Sequence, residues 1–228
     1  SDEFHVLGDP TLEIWTGVPQ PLYAYVDFDE NSVTVYDEND QVIPDAKVVF
    51  QYGPEATEDY EVKMTNASGK VYSNLLNNFN VEVSALKHNY IPWYSTIVSD
   101  NSTWPAAEDI RGNIIITNGG NLTFGDDITL PKYARIIVME GGTLTTALNT
   151  DIGFSNDFND ILVYGNLDFG QNTSFAMVGA GQGKIKLLNE STAYGFNDIN
   201  FNTFKLSGEP LSIALNLCNF QNSLVEIT

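Results

Sequence analysis

Residues 113–124, Asn113-Ile114-Ile115-Ile116-Thr117-Asn118-Gly119-Gly120-Asn121-Leu122-Thr123-Phe124, align without a gap with residues 135–146, Arg135-Ile136-Ile137-Val138-Met139-Glu140-Gly141-Gly142-Thr143-Leu144-Thr145-Thr146. The offset carries Gly119 onto Gly141 and Leu122 onto Leu144. A third copy, Asp160-Ile161-Leu162-Val163-Tyr164-Gly165-Asn166-Leu167-Asp168-Phe169, sets Leu167 one position further from Leu144 than Leu144 is from Leu122. Less regular copies begin near Gly183 and Leu211. A short fixed period, with strand-like cores, glycine at the corners and no helical periodicity, marks a solenoid whose coils cannot bury a core singly but do so when stacked. Equivalent Ile, Val and Leu then form inward ladders, and backbone hydrogen bonds run from coil to coil along the axis. A second sandwich of hairpins is the rival reading, but hairpins do not require the same Gly-Gly-x-Leu at a fixed offset. The reading is a right-handed parallel β-helix (β-solenoid) over residues 109–228. Its last coil ends without a polar cap, so the native solenoid is expected to continue past Thr228, or its end to be covered by a partner.

Working outward toward the N-terminus, residues 100–108 are polar and break the strand pattern, which predicts a linker. Residues 22–99 alternate short β-rich runs with turn signals, the pattern of an antiparallel sandwich. The expected strands are Leu22 to Val26, Ser32 to Tyr36, Lys47 to Tyr52, Glu61 to Met64, Lys70 to Ser73 and Asn80 to Ala85. In the last of these, Val81, Val83 and Ala85 alternate with Asn80, Glu82 and Ser84, so one face enters a core and the other faces water. The turns Asp37-Glu38-Asn39-Asp40 and Asn66-Ala67-Ser68-Gly69 hold residues that tolerate left-handed backbone and read as hairpins. The chain is therefore expected to be all-β: a sandwich followed by a parallel β-helix, with residues 1–21 as a strand and linker following an upstream domain.

Composition narrows the partners. Thirty acidic and ten basic residues give a formal net charge of −20, a field that repels phosphate backbones and anionic lipid headgroups. Nucleic acid is not an expected partner, and no apolar run is long enough to suggest membrane insertion. A single cysteine, Cys218, rules out an internal disulfide framework and reads as a small apolar packing residue.

The polar residues yield few candidates for chemistry. Asp151, Asp157, Asp160 and Asp168 are the carboxylates of the repeat that could serve as acids or calcium ligands, although Asp commonly caps turns between coils. The repeat half has few cations and no histidine to support cleavage of an acidic polysaccharide. The acidic strings 27–31 and 37–40 have spacing that could hold a structural calcium, with Asp27, Asp29, Asp37 and Asn39 as ligands, yet neither has the glycine and distal glutamate of an EF-hand loop. His5 and His88 lack the neighbours of a metal site or a triad. Tyr90, Trp93 and Tyr94 read as packing between the two modules, with sugar stacking as the alternative. No catalytic or cofactor-binding residue is assigned.

Residues 33–48, 65–71 and 81–92, Val33-Thr34-Val35-Tyr36-Asp37 through Ile43-Pro44-Asp45-Ala46-Lys47-Val48 and their two continuations, resemble in order immunoglobulin-like and carboxypeptidase-regulatory-like bacterial domains. Ahead of them, Val6-Leu7-Gly8-Asp9-Pro10-Thr11-Leu12-Glu13-Ile14-Trp15-Thr16 resembles the segment that joins a gingipain-like (peptidase C25 family) cysteine protease domain to its immunoglobulin-like domain. The resemblance implies a secreted or cell-surface bacterial protein, with this chain as an accessory region C-terminal to the protease domain. That family's catalytic Cys and His belong to the upstream domain, and no position here matches them. The resemblance thus implies a non-catalytic region that braces the protease and binds or displays a carbohydrate or protein ligand. A β-helix polysaccharide lyase or glycoside hydrolase, and an adhesin stalk, are the alternatives.

Overall fold

A computed structural model describes residues 17–52, 59–78, 81–104, 110–188, 191–197, 199–210 and 212–228. These residues are all β apart from one 3-10 turn, Asn74–Asn77, whose N-cap Ser73 side chain accepts the Leu75 N–H. His5 and the segment 6–16 lie outside the described residues.

The C-terminal part is a parallel β-helix of about five turns. Each turn contributes one strand to each of three parallel sheets. The first face stacks Thr96–Val98, Ile114–Ile116, Arg135–Val138, Asp160–Val163, Gly183–Leu187, Phe204–Gly208 and Leu224–Ile227. The second stacks Asn101–Trp104, Asn121–Phe124, Thr143–Thr146, Asn166–Asp168, Thr192–Asn197 and Ser212–Asn216. The third stacks Ile128–Leu130, Asp151–Phe154, Ser174–Met177, Asn200–Asn202 and Asn219–Gln221.

The sequence repeat is the physical register. Ile114 pairs with Ile136, Leu122 with Leu144 and Leu144 with Leu167, the same partners that the aligned copies match. On the first face Ile136 pairs with Ile161, a longer step along the chain than Leu144 to Leu167 on the second. The corner 139–142 of the second copy shrinks to Tyr164-Gly165 in the third, which accounts for the difference between faces. Aliphatic columns fill the axis at the start. Further along, the third-face column changes from Ile128 and Ile152 to Phe175, Phe201 and Phe220. These three rings stack with centroids 5.3 and 4.8 Å apart and nearly parallel planes.

The N-terminal part consists of two antiparallel sheets around their own core. One contains Tyr23–Asp27, Ser32–Tyr36 and Lys70–Tyr72, and the other Asp59–Met64, Lys47–Tyr52, Glu82–Leu86 and Trp93–Tyr94 in that order. Alternate residues of both sheets, including Ala24, Val26, Val33, Val35, Val48, Phe50, Val83 and Ala85, form one buried cluster with Trp93.

Two boundaries differ from expectation. Residues 100–108 were expected to be a linker, but Asn101–Trp104 is a solenoid strand paired in parallel with Asn121–Phe124. Its polar residues disguise it, because only Ser102 and Trp104 share the rung positions of the buried Leu122 and Phe124, and Trp104 packs its ring 5.9 Å from Phe124. The solenoid begins earlier still: Thr96–Val98 pairs with Ile114–Ile116. Ser95 alone separates the last sandwich strand from this first rung, and its Oγ accepts the Val83 N–H while its own N–H bonds to the Val83 carbonyl. Within the span 1–21, expected to be a strand and linker, Gln20–Pro21 pairs in parallel with Tyr90–Ile91.

Side-chain alternation shows how the two parts meet. On the first face Ile114, Ile116, Ile136, Val138, Ile161 and Val163 belong to the solenoid core, so Ile115, Ile137 and Leu162 point outward from it. These three are nevertheless 0%, 0% and 8% exposed, whereas the next residue of their column, Lys186, is exposed. Ser32 and Thr34, which point out of the sandwich core, are 0% and 7% exposed. The three-stranded sheet lies over the first coils of the first face, and a third packed layer runs between the modules.

Candidate functional site

The joint between the modules is built around Arg135. This residue opens a first-face strand at the position held by Asp160 in the next coil. Its side chain forks onto that carboxylate, with Nε to Oδ1 at 2.7 Å and Nη2 to Oδ2 at 2.8 Å, while Nη1 donates to the Val26 carbonyl of the sandwich at 3.0 Å. The partners are only 11% and 13% exposed. The guanidinium also lies 5.7 Å from the ring centroids of both Tyr25 and Phe28, within the range of cation–π attraction. Burial opposes the Arg135 charge, but the hydrogen bonds and charge of Asp160 outweigh it and hold its pKa above the ordinary value. A planar fork suits such a site, since lysine cannot satisfy two carboxylate oxygens and a carbonyl in one plane.

A second set of contacts comes from the solenoid loop before Arg135. Tyr133 stacks on Tyr36 of the sandwich with centroids 4.6 Å apart, and its hydroxyl donates to Asp40 Oδ1. Lys132 Nζ donates to the same oxygen and to the Glu38 carbonyl. Phe158, from the next coil, packs against Tyr25 and Tyr133. Burial, followed by the Asp40 charge, pushes the Tyr133 phenol well above its usual pKa.

Where the sandwich stops covering the first face, a cleft of about 200 Å³ remains between the 27–31 hairpin and the solenoid. Leu162 and Leu188 line it from the solenoid, with Tyr164 and Lys186, and Tyr25 and Asp29 line it from the sandwich. Burial raises the pKa of the Tyr25 and Tyr164 phenols. A larger groove of about 480 Å³ runs along the third face, where Gly153 and Ala176 occupy neighbouring rungs. No protein-family model matches the chain, nor does any curated protein or solved structure.

The sequence-derived candidates fall into separate places. Asp27 and Asp29 lie at one end of strand Ser32–Tyr36, and Asp37 and Asn39 at the other. Asp27 Oδ1 accepts the N–H groups of Asp29 and Glu30, and Asp37 Oδ1 accepts those of Asn39 and Gln41. Two of the four calcium candidates therefore cap their own turns. No group of three or more His, Cys, Asp or Glu placed to hold a metal occurs among the described residues. Asp151, Asp160 and Asp168 lie on the third, first and second faces respectively, so they do not converge. Of these, Asp160 is the Arg135 partner. Asp157 precedes it in a loop, where its carbonyl accepts from Lys184 Nζ. Trp93 is fully buried in the sandwich core, and a Cβ on Gly112 of the solenoid would meet its ring at 2.7 Å, so the expected packing role holds for this residue. Tyr90 is half-buried against the same core and Tyr94 is exposed. Cys218 packs against the solenoid core.

Arg135, Lys132, Tyr133 and Tyr25 were not singled out from the sequence. One signal was there to read. Ile114-Ile115-Ile116 and Ile136-Ile137-Val138 are apolar at every position, as strands covered on both faces are, while Gly183-Lys184-Ile185-Lys186-Leu187 alternates. The change from one pattern to the other marks the edge of the joint.

Proposed function

We propose that this chain is a non-catalytic accessory unit of a secreted or cell-surface bacterial protein, in which an immunoglobulin-like sandwich fixed on a right-handed β-helix braces a neighbouring gingipain-like cysteine protease domain and presents a ligand-binding surface. The observation that carries this reading is the Arg135–Asp160–Val26 lock. A buried ion pair is a poor source of net stability compared with apolar packing, and its best use is to select one geometry. A stalk of independent spacers has no need of one fixed angle between modules, whereas a brace does. The protease resemblance of residues 6–16 supports the identity of the neighbour.

The test is whether the two modules behave as one body. Ile137→Asp places a charge in the dry layer between them, away from either core. By calorimetry the parent protein is expected to unfold in a single transition and the variant in two, with the sandwich and solenoid melting separately. Two independent transitions in the parent protein would remove the bracing role. A coding sequence upstream of Ser1 that lacks a Cys and His protease domain would remove the protease assignment.

A further inference from the structure

We propose that the cleft at the edge of the joint binds one neutral sugar ring, the terminal residue of a glycan. The proposal rests on the rigid joint described above, because the two walls of the cleft belong to different modules and the contacts of that joint hold them at a fixed distance. At about 200 Å³ the space lies below the roughly 300–1,000 Å³ of sites for drug-sized ligands and suits one small ring.

Its chemistry is that of an amphipathic, uncharged ligand. Leu162 and Leu188 supply an apolar surface, and Tyr25 and Tyr164 supply aromatic ones against which the C–H face of a pyranose can lie. The Asp29 carboxylate comes from the sandwich and the Lys186 ammonium from the solenoid. Both line this cleft, yet they make no ion pair with each other, and neither side chain has a hydrogen-bond partner among the described residues. Vicinal hydroxyls can donate to the first and accept from the second, so a single neutral ring satisfies both. With Asp160 and Arg135 neutralising each other, an anionic ligand would face Asp27, Asp29 and a chain of net charge −20, and a cationic one would face the Lys186 ammonium. Because the walls are fixed before binding, little ordering cost opposes a small ligand.

The experiment is an NMR titration of the whole chain with Tyr-ring labels, using the methyl glycosides of glucose, galactose, mannose and N-acetylglucosamine. Glucuronate, glucosamine and glycine serve as anionic, cationic and zwitterionic controls. At least one neutral glycoside is expected to shift the Tyr25 and Tyr164 ring signals saturably. Asp29→Asn and Lys186→Met should each weaken that binding about tenfold, the loss of one charged hydrogen bond in a partly desolvated site. Lys47→Met, at an exposed position of a sandwich strand, should leave it unchanged. The proposal is overturned if no neutral glycoside shifts either ring, if only a charged control binds, or if the Asp29 and Lys186 variants bind as the parent does. Calorimetry of the same samples separates the outcomes: a single transition without sugar binding removes this inference and leaves the bracing role standing.

Discussion

Arg135 shows how one side chain can decide an inter-module geometry. It is the only residue that bonds at once to a neighbouring coil, through Asp160, and to the sandwich backbone, through Val26, among the contacts of the described residues. Removing it leaves the Asp160 carboxylate buried without its counter-charge, which typically costs about 3–5 kcal/mol, far more than the pair contributes relative to an apolar substitute. Arg135→Met is therefore expected to destabilise the protein by about 3–5 kcal/mol in urea denaturation, and Arg135→Met with Asp160→Leu to recover most of that loss. Equal losses in the single and double variants would show that the fork contributes through something other than charge pairing. Tyr133 is constrained in a related way: it holds φ at +65°, a region unfavourable for a bulky side chain, while its ring stacks on Tyr36. Neither feature was legible in the sequence. An arginine at the start of an apolar strand looks like a solvated edge, and the sandwich residues it meets lie far earlier in the chain.

At the scale of the element, the coil corners were legible and the structure divides the work of their two glycines. Gly119 and Gly141 sit at φ +83° and +75°, while Gly120 and Gly142 lie against the preceding coil. A Cβ on Gly120 would come within 2.3 Å of the Val98 carbonyl oxygen, and on Gly142 within 2.7 Å of that of Ile116, but on Gly119 it would meet nothing. Gly119 answers a backbone requirement that Asn can also meet, and Gly120 and Gly142 a steric one that no side chain can meet, while a Cβ on Gly141 would press on the Asn118 side chain as well. Gly119→Asn should thus cost under about 1 kcal/mol, and Gly120→Ala about 1–3 kcal/mol as the coils are forced apart. Comparable costs for the two substitutions, measured by chemical denaturation, would refute this division. The repeat betrayed register because stacking demands the same residue at the same rung. It did not betray the first rungs, Thr96–Val98 and Asn101–Trp104, because Thr96 and Ser102 stand at the rungs of the buried Ile114 and Leu122, while the matches of Asn101 to Asn121 and Thr103 to Thr123 fall at half-buried positions outside the core column.

For the whole molecule, the tyrosines of the joint couple its integrity to pH. Tyr25, Tyr133 and Tyr164 all have phenols raised above their ordinary pKa, first by burial, and in each case a nearby carboxylate adds to the shift. In the unfolded chain these groups ionise near about pH 10. Between that value and the higher folded values the unfolded state binds fewer protons than the folded one, so stability falls as pH rises. The contribution is fully present below about pH 10 and is lost as pH climbs through the folded values. Arg135 and Lys70, whose pKa values are also raised, push in the same direction. Unfolding free energy is accordingly expected to be insensitive to these groups between about pH 7 and 9 and to decline above about pH 10. Part of the phenolate absorbance of the 11 tyrosines should appear only as the modules separate. Tyr133→Phe removes one raised phenol while keeping the ring against Tyr36, so it should flatten the alkaline decline. If all the phenols ionise together near about pH 10 with the scattering profile unchanged, the joint is open to water and the third packed layer between sandwich and solenoid does not exist in solution.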